Sequence, residues 1–159
     1  TDAISRDGFL CAQHISVYSF ISLAKHAKHL MPNGGSMVCL SYIGANRAFP
    51  GYNIMGLAKA SLESAVKYLA LDLGKHQIRV NAISAGSIRT IAANAIEGFK
   101  ELHEHNAKIN PLSKSTTIEE VGDACAFLVS DLSRAITGDT LYVDNGFHAI
   151  GMHNKQEAP

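Results

Sequence analysis

Residues 36–84 read SMVCLSYIGANRAFPGYNIMGLAKASLESAVKYLALDLGKHQIRVNAIS. Two short apolar runs, SMVCLSY at 36–42 and IRVNAIS at 78–84, flank a long stretch of helical periodicity. Each run has the length and apolar character of a buried strand. Between them, Leu62, Ala65, Val66, Leu69, Ala70 and Leu73 recur at helical spacing, which predicts a helix over Tyr52–Leu73 with Gly74 as its C-cap. Strand, long helix, strand implies a crossover joining two parallel strands.

Working outward, Phe9, Ile15, Phe20, Leu23, Ala24, Ala27 and Leu30 predict a helix from about Arg6 to Met31, stopped by Pro32-Asn33-Gly34-Gly35. On the other side, Ala85-Gly86-Ser87 turns out of the second strand. Residues 91–107 read as short polar helices of weak periodicity. Thr117 and Glu120 form a capping box opening a helix to Ser130, and Asp139–Val143 (DTLYV) reads as a third strand. The polar stretch 153–159 reads as a loose tail. Alternating helices and apolar strands predict an α/β fold, a doubly wound parallel sheet with helices on both faces. Three strands are few for this architecture, and the first helix has no strand before it to cross over from.

Composition narrows the function. Fourteen basic residues balance fourteen acidic ones, so no net field favours nucleic acid or an anionic membrane. Cys11, Cys39 and Cys125 are scattered and odd in number, neither a disulfide framework nor a zinc pattern. No metal site is expected: His26 with His29, and His103 with His105, lack a third ligand at zinc spacing and read as solvated helix faces. Cys39 reads as inert core, and packing is the expectation for Tyr18 and Tyr68.

The candidate chemistry lies at Tyr42, Tyr52 and Lys59. Seven helical residues turn about 700°, so Tyr52 and Lys59 share a face, about 10 Å apart along the axis. Met55 and Gly56 lie between them; Gly56 removes a side chain where a flat ligand could lie, and a glycine inside a helix calls for a packing or a ligand reason. Tyr42 falls at the C-terminal end of its strand, the edge where open α/β sheets bind ligands. An ammonium near a phenol lowers the phenol's pKa, and such a pair can hydrogen-bond or protonate a developing oxyanion. Spacing alone leaves open whether the tyrosine and lysine are catalytic or simply two residues on one helix. Ser41, next to Tyr42, is a further minor candidate.

The segment LSYIGANRAFPGYNIMGLAKASLESAVKYLA, with IRVNAISAGSIRTIAA after it and VDNGF at 143–147, resembles the NADH-dependent enoyl-[acyl-carrier-protein] reductases, a divergent branch of the short-chain dehydrogenases. The resemblance runs from about Ser5 to Met152. It implies a Rossmann-like fold, with 1–152 the C-terminal part of a single reductase domain whose nucleotide-loop half is absent. It implies reduction of a trans-2-enoyl thioester by NADH. Tyr52 would stabilise the enolate, Lys59 would hold the nicotinamide ribose, and Tyr42, Met55 and Phe99 would line the substrate. Ile88 and Thr90 would lie along the cofactor, with Ser41 a minor contributor, and 91–107 would be a mobile substrate-binding segment. An acyl-carrier-protein partner, a homotetramer built through the long helix, and a cytoplasmic setting follow from the same likeness.

Three departures stand against the family pattern. Ser87 replaces a usual proline, Asn145 replaces a small residue, and no G-x-G-x-x-G or variant loop occurs in the chain. Two other readings are weighed. A carbonyl reductase of the wider superfamily is disfavoured because Met55 sits four before Lys59, where that chemistry needs tyrosine. A catalytically incomplete fragment would serve only folding or association.

Overall fold

The computed structural model describes residues 4–90 and 98–151. The expected tail 153–159 and the first part of the 91–107 segment lie outside them. Three strands, β1 (Gly35–Tyr42), β2 (Ile78–Ala85) and β3 (Thr140–Val143), form one parallel sheet in the order β1-β2-β3. The helices are α1 (Arg6–Gln13), α2 (Ser19–Ala27), α3 (Asn53–Gly74), α4 (Phe99–Ile109) and α5 (Ile118–Val129).

Strand alternation divides the core between the two faces of the sheet. Met37, Ile78, Val80 and Ala82 pack with Ala24 of α2 and with Val66, Ala70 and Leu73 of α3. Ile83 points to the other face, against Val121 and Leu128 of α5, with Val38, Ala85 and Val143 alongside. Helices therefore cover both faces, the doubly wound arrangement that the alternation of strands and helices implies.

Several boundaries differ from the sequence expectation for local reasons. The first helix carries a π-helical turn at His14–Tyr18, where Ser19 Oγ donates to Ile15 O at 2.5 Å. Gly74 is the last residue of α3 rather than its cap, and the left-handed residue that redirects the chain into β2 is Gln77, at φ 58°. Thr117 does form the capping box, taking Glu120 N–H at 3.2 Å while Glu120 Oε2 takes Thr117 N–H at 3.0 Å. Tyr18 and Tyr68, expected to pack, are 57% and 69% exposed, Tyr18 stacking on His14. His103, expected on a solvated face, is buried.

Arg79 fastens α5 to the sheet. Its guanidinium donates to Leu128 O and Ser133 Oγ, each at 2.8 Å, and to Ser130 O at 3.0 Å. A cation at a helix C-terminus satisfies the orphan carbonyls and suits the dipole.

Candidate active site

All three strands deliver their C-terminal ends to one edge. Tyr42 closes β1, Ala85-Gly86-Ser87 leaves β2, and Asp144-Asn145 leaves β3. Gly86 is required there: a side chain would run into Thr116 Oγ1 and stand 3.3 Å from Asp144 Cα. Asn145 takes a left-handed φ of 57° and donates through Nδ2 to Lys114 O and Thr116 Oγ1, each at 3.1 Å. Buried Asp144 caps the following turn, accepting from Gly146 N at 3.0 Å and from His148 N and Nδ1 at 2.8 Å each.

Tyr52 occupies the N-cap position of α3, and its ring meets Tyr42 edge to face, centroids 5.0 Å apart at 67°. Phe49 closes on Tyr42 at 5.7 Å and on Phe147 at 6.3 Å. Gly44 makes room for the pair, since a Cβ there would fall 2.5 Å from Tyr52 Cε1 and 3.0 Å from Tyr42 Cδ1. Of the two reasons open for Gly56, the structure shows a packing one: a Cβ would stand 2.9 Å from Gly44 O. A cavity of about 360 Å³ opens beside this loop, lined in part by Asn46, Phe49, Tyr52, Asn53 and Leu57.

Lys59 corrects one expectation. Its ammonium donates to Leu40 O at 2.8 Å, so the charge is fastened to β1. Burial holds the Lys59 pKa below its ordinary value, while Cys39 and Glu63 oppose that shift. Tyr52 is correspondingly not a lowered phenol: burial, and then Tyr42 beside it, push its pKa up to about 12. Burial also raises Tyr42, with Asn106 opposing and Asp144 adding. Both tyrosines are therefore protonated hydrogen-bond donors at neutral pH.

The remaining sequence candidates divide. Ser41 points to the opposite face of β1 from Tyr42 and gives its hydroxyl to buried Glu63 Oε1 at 2.5 Å. Ile88 packs on the core beneath α5. Phe99 stacks on His103 at 5.9 Å, Thr90 is exposed, and Met55 is half-buried on α3. Cys39 is half-buried, its thiol pushed up to about 12 mainly by burial, as inert core would be.

Sequence reasoning missed Glu63, which also accepts from Asn46 Nδ2 at 3.0 Å. Its signal was a carboxylate between Leu62 and Val66 on the apolar stripe, four residues after Lys59. It also missed α4 as a polar wedge. His103 Nδ1 meets Ser87 O at 2.7 Å and its Nε2 meets Ser115 Oγ at 3.1 Å, while Asn106 and Asn110 are buried beside it.

The short-chain dehydrogenase family described as enoyl-(acyl carrier protein) reductase matches residues 1–148. The chain belongs to the enoyl-(acyl carrier protein) reductase family. The NADH-dependent reductase FabI of Aquifex aeolicus is 53% identical over 154 residues, 96% of this chain and 57% of that protein. Its Escherichia coli counterpart is 47% identical over 152 residues, 96% of this chain and 58% of that protein. The crystal structure of the Anaplasma phagocytophilum reductase in complex with NAD superposes with a TM-score of 0.91 at 51% identity, covering 96% of this chain and 58% of that one. The chain thus spans somewhat over half the length of these relatives, and its Rossmann-like sheet is the one they share. Enoyl reductases of the family differ in nucleotide: the Staphylococcus aureus relative, 53% identical, is named for NADPH.

Proposed function

We propose that the whole protein reduces the trans-2 double bond of enoyl thioesters on acyl carrier protein in fatty-acid synthesis, with NADH as the reductant. The observation that carries this reading is the Tyr42–Tyr52 ring pair at the carboxyl edge of the sheet, with Lys59 on the same helix as Tyr52. The relatives' names support the substrate and the nucleotide. Residues 1–152 are read as the C-terminal part of one reductase domain, the nucleotide-binding loop lying outside this sequence.

The residues present suit the nicotinamide end of the cofactor. Lys59 has three donors and spends one on Leu40 O, leaving two for ribose hydroxyls. Ser87, Ile88 and Thr90 leave the end of β2, where open α/β sheets receive nucleotides. When bound, NADH supplies a hydride to the β-carbon of the enoyl group.

As that carbon is reduced, negative charge develops on the thioester oxygen. Tyr52, with a pKa near 12, keeps its proton at neutral pH and donates a hydrogen bond to that oxygen. Lys59 acts through the ribose rather than by ionising Tyr52, and its bond to Leu40 O anchors the ammonium for that task. A proton taken up at the α-carbon completes the saturated thioester. Tyr42 walls the site by holding the Tyr52 ring edge to face, and Met55 and Phe99 are the apolar residues assigned to the acyl chain.

Ile15, Tyr18 and Leu23 on the first helical stretch, and Leu57, Tyr68 and Leu71 on α3, are exposed. These apolar side chains support a homotetramer assembled through α3 and its neighbour. A cytoplasmic setting fits the nucleotide and carrier-protein chemistry, and among the described residues no helix is long and apolar enough to cross a membrane.

The test is Tyr52→Phe in the full-length protein, with reduction of crotonyl thioester followed in a single turnover. The expected loss is about 100-fold, the scale for removing one donor to a developing oxyanion. Undiminished chemistry would remove Tyr52 from the reaction. Running a 3-oxoacyl thioester beside it separates enoyl from carbonyl reduction, which Met55 four before Lys59 disfavours.

A further inference from the structure

Besides Ser84 Oγ, two buried polar atoms at the carboxyl edge have no hydrogen-bond partner among the described residues: Tyr42 Oη and Asn106 Oδ1. They are complementary, since a phenol O–H donates and a carboxamide oxygen only accepts. Both residues line the same small cavity, about 10 Å³, the size of one water. Asn106 is 6% exposed, and its Nδ2 donates to Ser87 Oγ at a long 3.5 Å. Buried groups of this kind are almost always satisfied, because an unmet donor or acceptor costs its full desolvation.

We propose that Asn106 is a positioning residue for the reaction, its carboxamide binding the Tyr42 hydroxyl directly or through one water and thereby fixing the Tyr42–Tyr52 ring pair. The inference rests on the reading of Tyr42 and Tyr52 given above. Alternation along β1 turns Tyr42 toward the α4 side, and Ser41 toward α3. The neighbouring buried polar side chains are already engaged: His103 of α4 spans Ser87 O and Ser115 Oγ, and Asn110, the C-cap of α4, gives Nδ2 to Asn106 O at 2.7 Å and Lys114 O at 2.8 Å. These bonds station the Asn106 side chain against Tyr42. The Asn106 side chain lies within hydrogen-bonding reach of the Tyr42 hydroxyl. Through this contact the helix that begins at Phe99 sets the orientation of the tyrosines, so acyl-chain binding and tyrosine placement are mechanically joined.

The test is a double-mutant cycle in the full-length protein with Asn106→Leu and Tyr42→Phe, read both in single-turnover reduction of crotonyl thioester and in urea unfolding. Asn106→Leu alone is expected to slow turnover about tenfold, the worth of one hydrogen bond, with NADH affinity unchanged. In the Tyr42→Phe background the same change is expected to have no further effect, because the hydroxyl it served is gone. Asn106→Gln, which keeps an acceptor, should recover part of the rate. Equal losses in both backgrounds, or no loss in either, would overturn the proposal. If the parent protein reduces no enoyl thioester, the functional reading falls. The pairing is then decided by unfolding alone: coupling between the two changes supports it, and additivity refutes it.

Discussion

The Tyr42 and Tyr52 rings meet at 67° with 5.0 Å between centroids, although they lie ten positions apart in sequence. The contact needs the end of β1 and the N-cap of α3 to converge, which the tight turn through Gly44 allows. Edge-to-face packing of this kind is worth about 0.5–1.5 kcal/mol beyond area burial. It also puts two phenols in one poorly hydrated place, where Tyr42 adds to the burial that disfavours ionisation of Tyr52.

That environment gives stability an alkaline signature. Tyr52 has its folded pKa raised from 10.0 to about 12. A group raised in the folded state contributes stability that is complete below its unfolded pKa and is lost as pH climbs to the folded value. The Tyr52 contribution is therefore present up to about pH 10 and disappears between pH 10 and 12. Because the ring is partly solvated, its size is about 1 kcal/mol after screening. Urea unfolding of the parent and of Tyr52→Phe across this window checks it, the variant being expected to lose less stability with rising pH. Absorbance at 295 nm should show the last native tyrosines ionising well above pH 10.

Gly44→Ala is expected to harm stability and chemistry together. The added methyl would fall 2.5 Å from Tyr52 Cε1 and 3.0 Å from Tyr42 Cδ1, so both rings must shift. Overpacking of this kind costs about 1–3 kcal/mol. Denaturant titration measures that part, and kcat on an enoyl thioester measures the displacement of Tyr52. Gly51→Ala serves as a contrast: its φ of 77° strains a side chain, but no atom lies within 4 Å. It should lose stability without disturbing the ring pair.

Glu63 lies buried on α3, taking Ser41 Oγ–H at 2.5 Å and Asn46 Nδ2–H at 3.0 Å. Replacing it by leucine would strand the Ser41 hydroxyl in the core, at a cost of about 1–3 kcal/mol. Glu63→Gln keeps an acceptor oxygen and should cost less. In a Ser41→Ala background the penalty of Glu63→Leu should shrink, a coupling measurable by thermal unfolding.

The sheet was legible because SMVCLSY and IRVNAIS are short, apolar and separated by one long helical period, a pattern with few other solutions. Thr117 and Glu120 announced their helix for the same reason: capping is a local interaction between residues three apart. The meeting of Tyr42 and Tyr52 at one edge follows from their places in the pattern, but the wiring around them does not. Spacing put Tyr52 and Lys59 on one face, yet Lys59 turns to Leu40 O, a carbonyl supplied by a strand 19 residues earlier. Periodicity along one helix carries no information about what the neighbouring strand offers. Gly56 called for a packing or a ligand reason, and only the fold shows the loop carbonyl of Gly44 closing on it. His103 read as a solvated residue because its partners, Ser87 and Ser115, come from flanking segments whose approach the pattern does not encode.

Asn145 is one departure from the family pattern whose consequence is now specific. Its φ of 57° favours glycine, and asparagine tolerates it better than most residues. Its side chain also gives Nδ2 to Lys114 O and Thr116 Oγ1, tying the turn after β3 to the segment that leads into α5. Two opposing effects follow for substitution. Asn145→Ala loses both hydrogen bonds and meets the backbone strain, for about 1–3 kcal/mol of destabilisation. Asn145→Gly loses the hydrogen bonds but relieves the strain, so it should fall between alanine and the parent in urea unfolding. If glycine proves no better than alanine, the side-chain bonds alone set the stability of this turn, and backbone conformation is not what selects the residue at 145.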